Sequence, residues 1–134
     1  MEKKYEMTDE TIEVGGKTLH RIRALRNFGR VKKGDVGGFK GDVGGFIEHE
    51  GNLSHEGGCW VWHDAAVCNN AKVFGNAQIF EKSIIRDNAK VCCDAMVYGD
   101  AQVFDDAHIY DNAQIYGDAH IYGDNVMSTG EKSW

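Results

Sequence analysis

Histidine, cysteine and glutamate crowd one short segment of the chain: Glu48, His49, Glu50, His55, Glu56, Cys59 and His63. These residue types hold zinc when three or four converge, but their spacing matches no established zinc pattern, and no metal is expected. His108 and His120 lie twelve residues apart, each before an isoleucine. A histidine acting as general base needs an orienting carboxylate and a substrate cleft. The sequence offers neither, so no catalytic residue and no cofactor is expected. The four cysteines (Cys59, Cys68, Cys92, Cys93) have no C-x-x-C spacing and read as free thiols.

A second constellation suits an anion. Residues 17–33 hold seven basic side chains (Lys17, Arg21, Arg23, Arg26, Arg30, Lys32, Lys33) and no acid. Two copies of Gly-Asp-Val-Gly-Gly-Phe follow, at 34–39 and 41–46. Successive backbone N–H groups of glycine loops form anion-binding nests, and arginine supplies bidentate donors. The expected ligand-binding set is Arg21, Arg23, Arg26, Lys32 and Lys33 for charge, with Gly37, Gly38, Gly44 and Gly45 for backbone donors. The competing reading is a turn-rich cap whose glycines let backbones approach closely. The segment is no phosphate-binding Walker loop, because it lacks the Gly-Lys-Ser/Thr ending.

The rest of the chain must position these groups. Its 134 residues suit one domain, and they contain 17 glycines and no proline. That bias excludes collagen-like chains and Pro-rich linkers. It favours a fold that uses nearly every backbone N–H. The net charge of −6 is segregated, because residues 51–134 carry five basic and twelve acidic side chains. An acidic body repels polyanions, so duplex nucleic acid is not an expected partner. No apolar run reaches the ~18 residues of a membrane span, and no signal-peptide core opens the chain. A cytoplasmic location without membrane contact is expected.

An internal repeat sets the architecture. A branched aliphatic recurs every six residues at Val61, Val67, Val73, Ile79, Ile85, Val91, Val97, Val103, Ile109, Ile115 and Ile121, with Met127 closing the series. Two residues earlier, nine of the twelve are Ala, and three earlier, ten are Asp or Asn. Residues two apart point to the same side of a strand, so Ala and Val/Ile both face inward. Asp and Asn tolerate left-handed dihedrals and turn the chain after each strand. Three strands and three turns close a coil, and four such coils make a prism of roughly 19 Å at ~4.8 Å per layer. Earlier, Thr11–Val14 and Thr18–Leu25 flank Gly15-Gly16, a hairpin pattern. We expect residues 1–58 to cap the prism, 59–128 to build it and 129–134 to form a tail.

The repeat over about 59–128 resembles the hexapeptide-repeat left-handed parallel β-helix proteins. The run Gly41–Glu48, followed by Asn52–Gly57 and Trp60-Val61, is similar to small YdcK-like repeat proteins of bacteria, prophages and phages. The resemblance implies an all-β, left-handed parallel β-helix of about four coils and a self-associating chain, commonly a homotrimer. It makes plausible a phage protein that counters host defence by sequestering an anionic nucleotide-type signal or blocking a host protein. Acyltransferases share this class, but 59–128 has no extruded loop. A bare structural scaffold is the other alternative.

With a period of three repeats, outward residues stack in lanes. Trp62, Phe80, Tyr98 and Tyr116 form an aromatic ladder, the expected oligomer interface. Phe74, Cys92 and Tyr110 form a second lane, and Cys68, Arg86, Phe104 and Tyr122 a third.

Overall fold

The computed structural model describes residues 3–29, 37–38, 41–124, 126–127 and 131–133. From Trp60–Val61 onward, strands of two or three residues recur every six residues, as the repeat requires. Each pairs in parallel with the strand one coil away: Ala66 with Ile84, Ile84 with Gln102, Gln102 with His120. Three walls result, the first running through Val67 and Ile85, the second through Val73 and Val91 and the third through Val61, Ile79 and Val97, and the described residues form a parallel β-solenoid of about four turns.

The interior is what the six-residue pattern specifies. The branched aliphatics from Val61 to Ile121 and the alanines from Ala65 to Ala119 are buried in one continuous core. Each branched side chain removed from water contributes roughly 1.5–3 kcal/mol. Where alanine is replaced, Cys59 and Ser83 also point inward, and the Ser83 hydroxyl donates to the Phe80 carbonyl at 2.7 Å. Backbone bonds run from coil to coil, as from Cys68 N to Ile85 O at 3.0 Å. A proline inside this ladder would delete such a bond, which accounts for its absence.

The turns differ from expectation by one residue. The left-handed dihedral is not at the Asp/Asn three before each branched aliphatic. It falls on the residue before that: His63, Asn69, Glu81, Asp87, Cys93, Asp105 and Asp111, with glycine at the equivalent positions 75, 99, 117 and 123. Side chains there serve the stack. Glu48 Oε1 accepts from Asn69 N, Asn69 Oδ1 from Asp87 N, Asp87 Oδ2 from Asp105 N, and Asp105 Oδ2 from Gly123 N, at 2.7–3.1 Å. The Asp/Asn at the next position lends its own N–H to the ladder, as Asn70 N does to Asp87 O.

The ladder also reaches beyond 59–128 at both ends. The strand Val43–Ile47 pairs in parallel with Ala66–Val67, Leu53 bridges to Val73, and Glu131–Ser133 pairs with Gln114–Tyr116. Strands β1 (Tyr5–Val14) and β2 (Lys17–Ala24) form the expected hairpin around Gly15 and Gly16, with φ of +57° and +81°. Strand β2 continues the first wall by pairing antiparallel with Val43–Ile47. At its base the hairpin puts Tyr5, Ile22 and Ala24 into the solenoid core. Near its tip, Ile12, Val14 and Leu19 use the opposite face against Phe46, Ala66 and Cys68 on the outside of the wall. That switch of faces explains why the strand sequence alternates so poorly.

Candidate interaction surface

Arg21, Arg23 and Arg26 of the basic run are brought to the solenoid's N-terminal end and used there. Arg21 donates through Nε to Glu10 at 2.8 Å, and its terminal nitrogens reach Gly44 O, His63 O and Asp64 Oδ1 at 2.8–3.2 Å. Its guanidinium also lies 4.3 Å from the Phe46 ring centre. Arg23 pairs with Glu6, and Arg26 donates to His55 O at 2.7 Å. Arg21 and Arg26 fasten the hairpin to the residues of the first coil, while Arg23 ties the two strands of the hairpin together. Lys32 and Lys33 lie outside the described residues.

The glycines behave as close-approach positions. Gly44 and Gly45 are buried in the strand Val43–Ile47. A Cβ on Gly44 would lie 2.6 Å from Val61 O, and one on Gly45 only 2.4 Å from Ala65 O. Such backbone packing is the close approach that a residue without a Cβ permits. Gly37 and Gly38 form a short strand pairing antiparallel with Phe28–Gly29.

Beneath the hairpin lies a cluster that sequence reasoning missed. Lys4 is fully buried, and its Nζ donates to Cys59 O at 2.6 Å and Gly57 O at 3.3 Å, with Cys59 Sγ at 3.3 Å. Burial lowers the Lys4 pKa and raises that of Cys59, while each partner offsets the other's shift. The Tyr5 hydroxyl donates to Leu53 O at 2.5 Å and Glu50 O at 3.1 Å, and burial raises its pKa. His55 stacks on Tyr5, accepts from Lys4 N through Nδ1 and bonds Glu50 Oε1 through Nε2 at 2.7 Å. That bond chiefly holds the Glu50 carboxyl below its ordinary value. With both ring nitrogens engaged, His55 is a latch rather than a base. Among the described residues no three His, Cys, Asp or Glu side chains converge as a metal site. Nothing in the sequence around Lys4 signals its burial.

The aromatic lane is assembled, but as two stacked pairs rather than an even ladder. Trp62 and Phe80 stack with centroids 6.1 Å apart, and Tyr98 and Tyr116 with centroids 5.4 Å apart. All four rings are half-buried. Glutamines of the third wall hold their polar ends: Trp62 Nε1 donates to Gln78 Oε1 at 2.7 Å, and the Tyr98 hydroxyl to Gln114 Oε1 at 3.3 Å. Between the pairs opens a groove of about 340 Å³ lined by His63, Phe80, Glu81, Met96 and Tyr98. Met96 is the outward residue between Gln78 and Gln114, a break in the polar pattern that could have been read in sequence. Asp64, Glu81 and Asp100 line the adjoining corner with His63 and Lys82. Fixed rings beside a flexible thioether, rimmed by charge, give the composition of a protein–protein contact. The acidic rim disfavours the phosphates of a nucleic acid stacking on these rings.

No protein-family model and no curated protein matches this chain. Among the described residues, no helix is long and apolar enough to cross a membrane.

Proposed function

We propose that this chain is a non-catalytic, self-associating binding protein whose copies meet through the third-wall aromatic lane, with a homotrimer as the expected assembly. The observation that carries this reading is the groove between Phe80 and Tyr98, floored by Met96 and flanked by two stacked ring pairs. Half-buried aromatics lose little side-chain entropy on docking and dominate contact energies. The resemblance to the left-handed β-helix class supports both the assembly and a left-handed coil.

Sequestration of an anionic nucleotide at the basic end is the weaker reading, since Arg21 and Arg23 already face Glu10, Asp64 and Glu6. A blocking role against a host protein is compatible with the lane. Light scattering of the eluting protein across a concentration series tests the self-association. A mass above the 14.9 kDa chain that falls on dilution is expected. A 14.9 kDa species at every concentration would sink the reading.

A further inference from the structure

The adjacent cysteines occupy an unusual place in the stack. The corner after the second wall is turned by left-handed residues, and its successive occupants are Gly57, Gly75, Cys93 and Asp111, with φ of +71°, +66°, +64° and +54°. Cys93 therefore sits where the preceding two coils use glycine, in a conformation that costs an L-residue roughly 1–2 kcal/mol. Unlike Asp87 or Asp105, it has no carboxylate with which to cap the next coil. Its thiol is exposed. Cys92 is nearly buried in the lane of Phe74 and Tyr110, and the two sulfurs lie 3.0 Å apart. The other thiols, Cys59 and Cys68, are buried in separate clusters.

We propose that Cys92 and Cys93 form a redox-active dithiol that hydroperoxides convert to a vicinal disulfide. Exposure assigns the first attack to Cys93. Burial, reinforced by the Cys93 sulfur, pushes the Cys92 thiol up to about 12, so Cys92 keeps its proton beside its neighbour's sulfur. The Cys93 thiolate attacks a peroxide oxygen, the O–O bond breaks, and the departing alkoxide or hydroxide takes a proton. Cys93 is then a sulfenic acid. Cys92 attacks that sulfur as its own proton leaves, the S–O bond breaks, and water departs. Overall, two thiols and one hydroperoxide give one disulfide, one alcohol (or water) and one water. Adjacent Cα atoms are ~3.8 Å apart, below the ~4.4 Å lower end for ordinary disulfides. The bond is consequently strained and readily reversed by thiol reductants.

The test treats the native protein with limiting hydrogen peroxide, then denatures it, alkylates with N-ethylmaleimide and measures intact mass. Reduced protein should take four alkyl groups, one per cysteine. Oxidised protein should take two fewer and weigh two hydrogens less before alkylation. The missing adducts should map to the fragment holding Cys92 and Cys93, and dithiothreitol should restore them. Cys93→Ser should give the same adduct count before and after peroxide. Cys93→Gly, which fits the left-handed turn as Gly75 does, serves as the second variant if Cys93→Ser misfolds. Unchanged alkylation of the wild type, oxygen retained on Cys93 alone, or a disulfide-linked dimer on non-reducing electrophoresis would each overturn the proposal.

Discussion

The prism and its cap reach stability by opposite means. In the prism a side chain's task follows from its place in the six-residue unit: Val97 fills the core, Asp105 turns the corner, and Ala101 leaves room. Any coil is nearly a copy of its neighbour. In the cap no position repeats, and each buried group answers a single need. Lys4 satisfies the carbonyls of Gly57 and Cys59. Asn52, fully buried, accepts from Glu48 N and His49 N and donates to Asn69 O and Ala71 O. The contrast teaches where charge carries information. A run of arginines beside glycines resembles a ligand pole, but an irregular cap also needs cations to fasten it to a regular stack.

Substitutions can break that contrast. The largest effect is expected for Val97→Asp, which puts a carboxylate inside a coil with no partner. Burying an unpaired charge costs several kcal/mol, so the thermal transition of the whole chain should vanish or fall below room temperature, read by circular dichroism. Gly45→Ala comes next, at about 3 kcal/mol in denaturant unfolding, because its Cβ would press on Ala65 O, which belongs to the backbone and cannot swing aside.

Tyr5→Phe should cost about 1–3 kcal/mol by orphaning the Leu53 carbonyl. It also carries a pH signature. The Tyr5 phenol is held above its ordinary 10.0 in the folded chain. Its contribution is therefore full below pH 10 and lost as pH rises toward the folded value. Lys4 acts in the reverse sense, since its lowered pKa lets stability rise with pH up to the ordinary 10.5. Lys4 is present in both proteins and cancels in the comparison. The stability gap between wild type and Tyr5→Phe should shrink above pH 10, measured by urea unfolding at each pH. A smaller effect, about 1 kcal/mol, is expected for Asp105→Ala, which removes the acceptor for Gly123 N while keeping a left-handed non-glycine.

The sequence made the prism legible because one physical requirement recurs twelve times, and recurrence exposes the role of a residue such as Ile85 or Ala89. It misplaced the left-handed turn by one residue because both turn positions favour Asp and Asn, one for its dihedral and side-chain acceptor, the other for its place before the strand. The cap's basic residues were visible, but their acidic partners were not. Glu6 and Glu10 meet Arg23 and Arg21 across the two strands of the hairpin, a pairing set by its register, and Asp64 meets Arg21 only after the hairpin folds onto the first coil. The aromatic lane was legible from spacing. Its division into two pairs around Met96 depends on ring orientation, which spacing does not specify.

The sharpest test compares one residue from each region in a single sedimentation-equilibrium experiment. Met96→Glu places a carboxylate in the groove, and Arg23→Ala removes one exposed stitch of the cap, worth less than about 1 kcal/mol. If the lane joins copies of the chain and the basic end is structural, Met96→Glu sediments as a 14.9 kDa monomer while Arg23→Ala keeps the wild-type mass. A wild-type mass for Met96→Glu, with dissociation in Arg23→Ala, would contradict that assignment.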